Sequence, residues 1–176
     1  MGGRVWASGL MIWAPGDPDF KMLADRFVDE GQGRNAAEPL QSIRELPTLL
    51  SRYKNLAQIT FATHGLPAAI VLPKGNAGLS EYPWFHAPHD ELFRDEGRVL
   101  FWGCNIAQGA AGLLYLELVG RLLLRGRTGM VMASDALNFK FDSLPIEPVM
   151  APFGNLHMIY FDRDGKVLVR QRAYNG

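Results

Sequence analysis

Cysteine is almost missing from this chain. Cys104 is the only one in 176 residues, so no internal disulfide can form. That suits a reducing cytosol without requiring one. An excess of either charge is missing too: 18 Lys and Arg stand against 18 Asp and Glu. Nothing basic enough is present to draw nucleic acid or an anionic membrane, and neither is expected as a partner. Long apolar runs are also lacking. The longest Leu-rich stretch, Leu113 to Leu124, is short and carries Glu117 and Arg121, so it cannot span a bilayer. Val5 to Ala14 is preceded by one Arg and followed by no convincing cleavage site, so it is not read as a signal peptide. Trp6 stands where a myristoylation signal needs Ser or Thr. The expected setting is cytoplasmic, or a module of a larger secreted or effector protein. No internal repeat or low-complexity segment is visible.

What is present is a globular composition, with 48% apolar and 20% charged residues. The length suits one domain over residues 1–176. Val5 to Ala14 reads as a first strand. Asp17-Pro18 then opens a helix, with an acid at the cap and proline at its first position, and Phe20, Leu23, Ala24 and Phe27 recur at helical spacing. Residues 32–40 read as loop. Ser42 and Glu45 have the spacing of a capping box for a second helix from Ile43 to Tyr53, bent at Pro47. Ala68 to Leu72 reads as a hairpin arm, and residues 73–90 as a long surface loop. Gly109 to Leu124 predicts a mostly buried helix, Gly129 to Ser134 a buried strand, and residues 136–154 a loop. Leu156 to Asp162 and Val167 to Arg172 predict a β-hairpin turning at Asp164-Gly165. Strands alternating with helices imply an α/β fold, a three-layer α/β/α sandwich with a mostly parallel central sheet of five or six strands and a C-terminal β-hairpin.

Two strand ends carry the chemistry. Ile59-Thr60-Phe61-Ala62-Thr63 runs into His64-Gly65, and Val99-Leu100-Phe101-Trp102-Gly103 runs into Cys104-Asn105. Continuous apolar runs are the mark of buried parallel strands, and sites in such sheets form at the carboxyl edge. A His and a Cys on neighbouring strand ends are placed as a thiol nucleophile and its base must be. The competing reading is a buried structural cysteine, which is how free Cys often serves.

The order of these motifs resembles the caspase-like (clan CD) cysteine peptidases. The likeness is to the bacterial branches: CHAT-like domains, toxin self-processing domains and adhesin-associated domains. It rests on Ala62-Thr63-His64-Gly65 with Ala69-Ile70-Val71-Leu72, on Gly103-Cys104-Asn105-Ile106-Ala107 with Gly109 and Gly112, and on Val131-Met132-Ala133-Ser134-Asp135. It covers about residues 55–140. The Gln-Ala-Cys-x-Gly motif of true caspases is absent, with Gly103-Cys104-Asn105 in its place. The resemblance implies Cys104 as nucleophile, His64 as its acid–base partner, and the backbone N–H groups of Gly65 and Cys104 as oxyanion donors. A protein or peptide would be the substrate, and no cofactor or metal would take part. A non-catalytic caspase-like binding or scaffold domain is the alternative, and a small-molecule acyl hydrolase a third. Asp135 ends the next strand, where it would bind a basic substrate side chain or merely cap the following loop beside Leu137 and Phe139. Asn105 would brace the Cys104 turn. His86, His89 and Asp90 have zinc-like spacing but no second ligand cluster. A phosphatase loop fails because Ala110 replaces the needed Arg, and a phosphate loop fails for want of Lys-Ser/Thr.

Overall fold

The computed structural model describes residues 5–136 and 154–175. Leu137, Phe139 and nearly all of the loop expected over 136–154 lie outside the described residues. In chain order the elements begin with β1 (Val5–Trp6), β2 (Gly9–Trp13), α1 (Pro18–Glu30) and β3 (Asn35–Pro39). A 3₁₀ turn over Ile43–Glu45, α2 (Leu46–Leu50), β4 (Tyr53–Lys54) and β5 (Leu56–Ala62) follow. Next come β6 (His64–Leu66), β7 (Ala69–Leu72), β8 (Gly75–Ala77), a 3₁₀ turn over Tyr82–Phe85 and β9 (Phe93–Trp102). The chain continues through α3 (Gly109–Leu123) and β10 (Gly129–Ser134) to the terminal pair β11 (Gly154–Phe161) and β12 (Val167–Asn175).

The central sheet has seven strands in the order β12-β11-β10-β9-β5-β2-β3. The five strands from β10 to β3 are parallel, and β11 and β12 are antiparallel additions at one edge. The inner strands are paired in register, Ile12 with Phe61 and Phe61 with Phe101. Their apolar runs are continuous because both faces are covered where they cross the core: Leu10, Ile12, Ile59, Phe61, Val99 and Val131 are fully buried on one face, and Met11, Thr60, Leu100 and Met132 are buried on the other. The direction of growth reverses at β2. The chain leaves β2 through α1 to pair β3 on one flank, then returns to lay β5 on the other. A crevice at the carboxyl edge between β2 and β5 is the expected ligand position in such a sheet.

Helix α1 forms as its cap and spacing predict. Asp17 accepts the Asp19 amide at 2.8 Å, Pro18 fills the first turn, and Phe20, Leu23, Ala24 and Phe27 are buried. Its wet face carries Lys21–Asp25 and Arg26–Glu30 pairs at four-residue spacing. Helix α3 packs on β10 and β11. It comes close because Gly120 has no side chain: a Cβ there would stand 2.5 Å from Phe161 and 2.8 Å from Val131. Glu117 meets Arg121, as its spacing predicts, and also Arg170 on β12.

Several expectations are corrected. The first strand is broken at Ala7-Ser8 into β1, which pairs with β4, and β2. Residues 35–39 are a strand rather than loop. Asn-Ala-Ala-Glu-Pro shows no apolar pattern because β3 is an edge, paired only with β2 and ended by proline. The second helix shrinks to a 3₁₀ turn and five residues of α2, since Ser42 makes no side-chain cap; its carbonyl takes the Glu45 amide instead. Residues 73–90 are not simply surface. Phe85 is fully buried against Phe61, Phe101 and Tyr115, with ring centroids 5.5–6.1 Å apart, and the Tyr115 hydroxyl donates to the Ala77 carbonyl at 2.9 Å.

Candidate functional site

The carboxyl ends of β2, β5, β9 and β10 converge on one edge. Cys104 follows β9 by two residues, in a turn in which Asn105 adopts φ +58°. Backbone bonds hold this turn from both sides. The Ala68 amide donates to Ile106 at 3.1 Å, Asn105 donates to Ala136 at 3.0 Å, and Ala107 donates to Ser134 at 3.0 Å. Asn105 thus ties the turn through its backbone amide, a bond that does not depend on its side chain. Helix α3 starts only at Gly109, so Cys104 precedes the helix rather than sitting in its first turn. Cys104 is half-buried.

His64 and Gly65 begin β6, which turns back against β7 so that His64 pairs with Val71 and Gly65 with Ile70. Gly65 backs directly onto the Cys104 turn. A Cβ on Gly65 would lie 2.2 Å from the Cys104 carbonyl oxygen and 2.9 Å from its amide nitrogen. A Cβ on Gly103 would lie 3.2 Å from the Gly65 nitrogen. Only glycine permits this approach, and it brings together the two backbone segments whose amides were expected to serve as oxyanion donors.

Successive strand residues face opposite sides, so the His64 side chain leaves β6 on the face away from Cys104. There Nε2 pairs with Asp17 Oδ2 at 2.9 Å, and the ring lies edge-on to Phe20 with centroids 4.9 Å apart. Asp17 thus uses one oxygen to cap α1 and the other to hold the imidazole. With Nε2 taken, Nδ1 is the nitrogen left for proton transfer. The sequence showed Asp17 as a helix cap only. The available signal was topological: β2 neighbours β5, so the residue opening the loop after β2 must come up beside the end of β5.

A cleft of about 420 Å³ opens at this place, between β2 and β5. Loop 14–18 and Phe20 form one wall; His64 and Val71, Leu72 and Pro73 form the other. Apart from Asp17 and His64, these side chains are apolar.

Asp135 stands just past β10 and is tightly held. It accepts from the Asn155 amide at 2.7 Å, from Asn155 Nδ2 at 2.9 Å and from His157 Nε2 at 2.9 Å. Burial alone would raise its carboxyl, but these donors prevail and keep it below the usual carboxylate value. His157 could not be read as its partner, because β11 is a half-exposed strand in which one His breaks no pattern. His86 Nδ1 lies 3.1 Å from the Pro83 carbonyl, and no cluster of three metal-type ligands occurs among the described residues. No described helix is long and apolar enough to cross a membrane. Compared with known proteins, the chain matches no family and no curated protein.

Proposed function

We propose that the protein is a cysteine endopeptidase of caspase-like type, in which Cys104 is the nucleophile and His64 the acid–base partner. The observation that carries this is the contact of Gly65 with the Cys104 turn at the carboxyl edge, next to an Asp-held imidazole. In the reaction the thiol proton passes through water to His64, whose ring stands on the other face of β6, and the sulfur adds to the scissile carbonyl. The amides of Gly65 and Cys104 receive the negative oxygen that forms. Collapse breaks the C–N bond, and the leaving nitrogen takes the proton from His64. Water then attacks the thioester and gives a proton to His64; the C–S bond breaks, the sulfur recovers that proton and the acid is released. Asp17 fixes the ring so that Nδ1 serves both transfers. The imidazole need not touch the sulfur to do the second of these tasks, because the leaving nitrogen sits between them.

The three-layer arrangement of that superfamily, in one domain, is part of the same proposal. It is supported by α1 against β2 and β3 and by α3 against β10 and β11. On the acyl side, Asp135 is proposed to favour Arg or Lys; such a side chain would share the carboxylate with Asn155 and His157. A second reading, a caspase-like binding or scaffold domain with an idle thiol, is favoured by the orientation of His64 toward Asp17 and away from the Cys104 face.

A mixed peptide library separates the two. Cleavage by the native protein, lost in Cys104→Ala and in His64→Ala with folding intact, is the expected result. No cleavage of any member supports the scaffold, and equal cleavage by Cys104→Ala removes Cys104 as the nucleophile.

A further inference from the structure

We propose that the cleft between loop 14–18 and β7 is the leaving-group subsite of this reaction, and that it selects a large aliphatic or aromatic side chain on the first residue after the scissile bond. This rests on the Cys104–His64 reading and adds to it a direction for the substrate chain and a chemical preference.

Direction follows from the two sides of β6. The acyl half of the substrate stays bonded to Cys104, which lies against the Gly65 side. The amine half departs with the proton of His64, whose ring lies on the opposite side and itself lines the cleft. The chain that continues from the leaving nitrogen therefore runs from Cys104 across His64. The depression it meets there is the one bounded by Phe20, Val71, Leu72 and Pro73. Its place between β2 and β5 is where an open parallel sheet holds its ligands.

Preference follows from lining and size. An apolar cavity of roughly 150 Å³ holds a benzene ring, so about 420 Å³ accepts one large side chain and the backbone that bears it. The walls offer Phe20, Val71 and Leu72 to an apolar group. The one acid in the lining, Asp17, is already paired with His64 and repels a second carboxylate. Leu, Phe and Met are the residues that fit; Gly leaves the walls uncovered, and Asp and Glu meet like charge.

Acyl transfer reads this subsite separately from the rest of the site. The probe is a mixed-sequence peptidyl aminomethylcoumarin library, whose leaving group carries no amino acid. The thioester it leaves on Cys104 is then offered leucinamide, phenylalaninamide, glycinamide or aspartic acid α-amide in competition with water. Mass spectrometry gives the fraction of acyl group captured by each. The expected result is capture of leucinamide and phenylalaninamide at least tenfold above glycinamide, with the aspartic acid amide lowest. In Val71→Asp the leucinamide-to-glycinamide ratio should fall towards one. Coumarin release with equal capture of all four amides by the native protein overturns the subsite and leaves the Cys–His assignment standing. A ratio unmoved by Val71→Asp does the same. Absence of coumarin release overturns the peptidase reading, and the subsite with it.

Discussion

A methyl group added at Gly65 strikes the junction between the two halves of the site. In Gly65→Ala the new Cβ would stand 2.2 Å from the Cys104 carbonyl oxygen, 2.6 Å from Ile106 Cγ1 and 2.9 Å from the Cys104 nitrogen. Real contacts of this kind open to at least 3.0 Å, so something must shift by most of an ångström. The Ile106 side chain can turn aside, but the Cys104 backbone cannot do so alone. It is tied through Ile106 to Ala68, through Asn105 to Ala136 and through Ala107 to Ser134. Overpacking a tight site costs about 1–3 kcal/mol. For a domain of this size that is a fall of roughly 2–12 °C in Tm. Catalysis should suffer more than stability, since a misplacement of about 1 Å can lower a rate on the order of 10²-fold. Gly78→Ala is the control, because its Cβ would meet nothing nearer than 3.4 Å; it should lie within about 0.5 kcal/mol of the native protein. Denaturant unfolding and library cleavage, measured on both variants, decide the matter. Gly65→Ala with native stability and native cleavage would refute the close packing of Gly65 on Cys104.

Four further substitutions test the Asp17, Tyr115 and Asp135 contacts. Asp17→Asn keeps an N-cap acceptor and should leave Tm unchanged, while cleavage falls about tenfold or more, part of the roughly 10²–10⁴-fold that acid–base help supplies. Asp17→Ala loses the cap as well, costing about 1 kcal/mol in denaturant unfolding. Tyr115→Phe strands the buried Ala77 carbonyl and should cost about 1–3 kcal/mol, read from the unfolding midpoint at constant m-value. Asp135, its carboxyl held below the ordinary carboxylate value by its Asn155 and His157 donors, contributes stability that is present above that ordinary value and is lost as pH falls through the lowered one. Asp135→Asn should therefore be less stable at neutral pH and show a flatter decline in acid titration; an unchanged acid limb would contradict the network with Asn155 and His157.

The parts of the fold that could be read from the sequence are those where one physical demand dominates. The core segments of β5, β9 and β10, residues 59–62, 99–101 and 131–133, are buried on both faces and so are almost wholly apolar, and α1 buries one stripe at helical spacing. Where demands are shared the pattern fades. Strand β3 is an edge held by backbone bonds to β2, which any sequence can make, so Asn-Ala-Ala-Glu-Pro gave no sign of it. Phe85 looked like a loop aromatic because its burial comes from Phe61, Phe101 and Tyr115, which are distant in sequence. His64 and Cys104 could be singled out because each closes an apolar run. Their relation to Asp17 could not, because the pairing depends on strand order, and neither α1 nor β5 encodes that order in its own residues.

The most direct test of the central claim is the intact mass of the protein after exposure to a mixed library of peptidyl acyloxymethyl ketones, which alkylate a thiol only when it attacks as an activated nucleophile. One adduct, mapped to Cys104, formed rapidly by the native protein and slowly by His64→Ala, is the predicted result. An unmodified native protein, or an adduct that forms equally fast without His64, would contradict the assignment of Cys104 and His64 as nucleophile and acid–base partner.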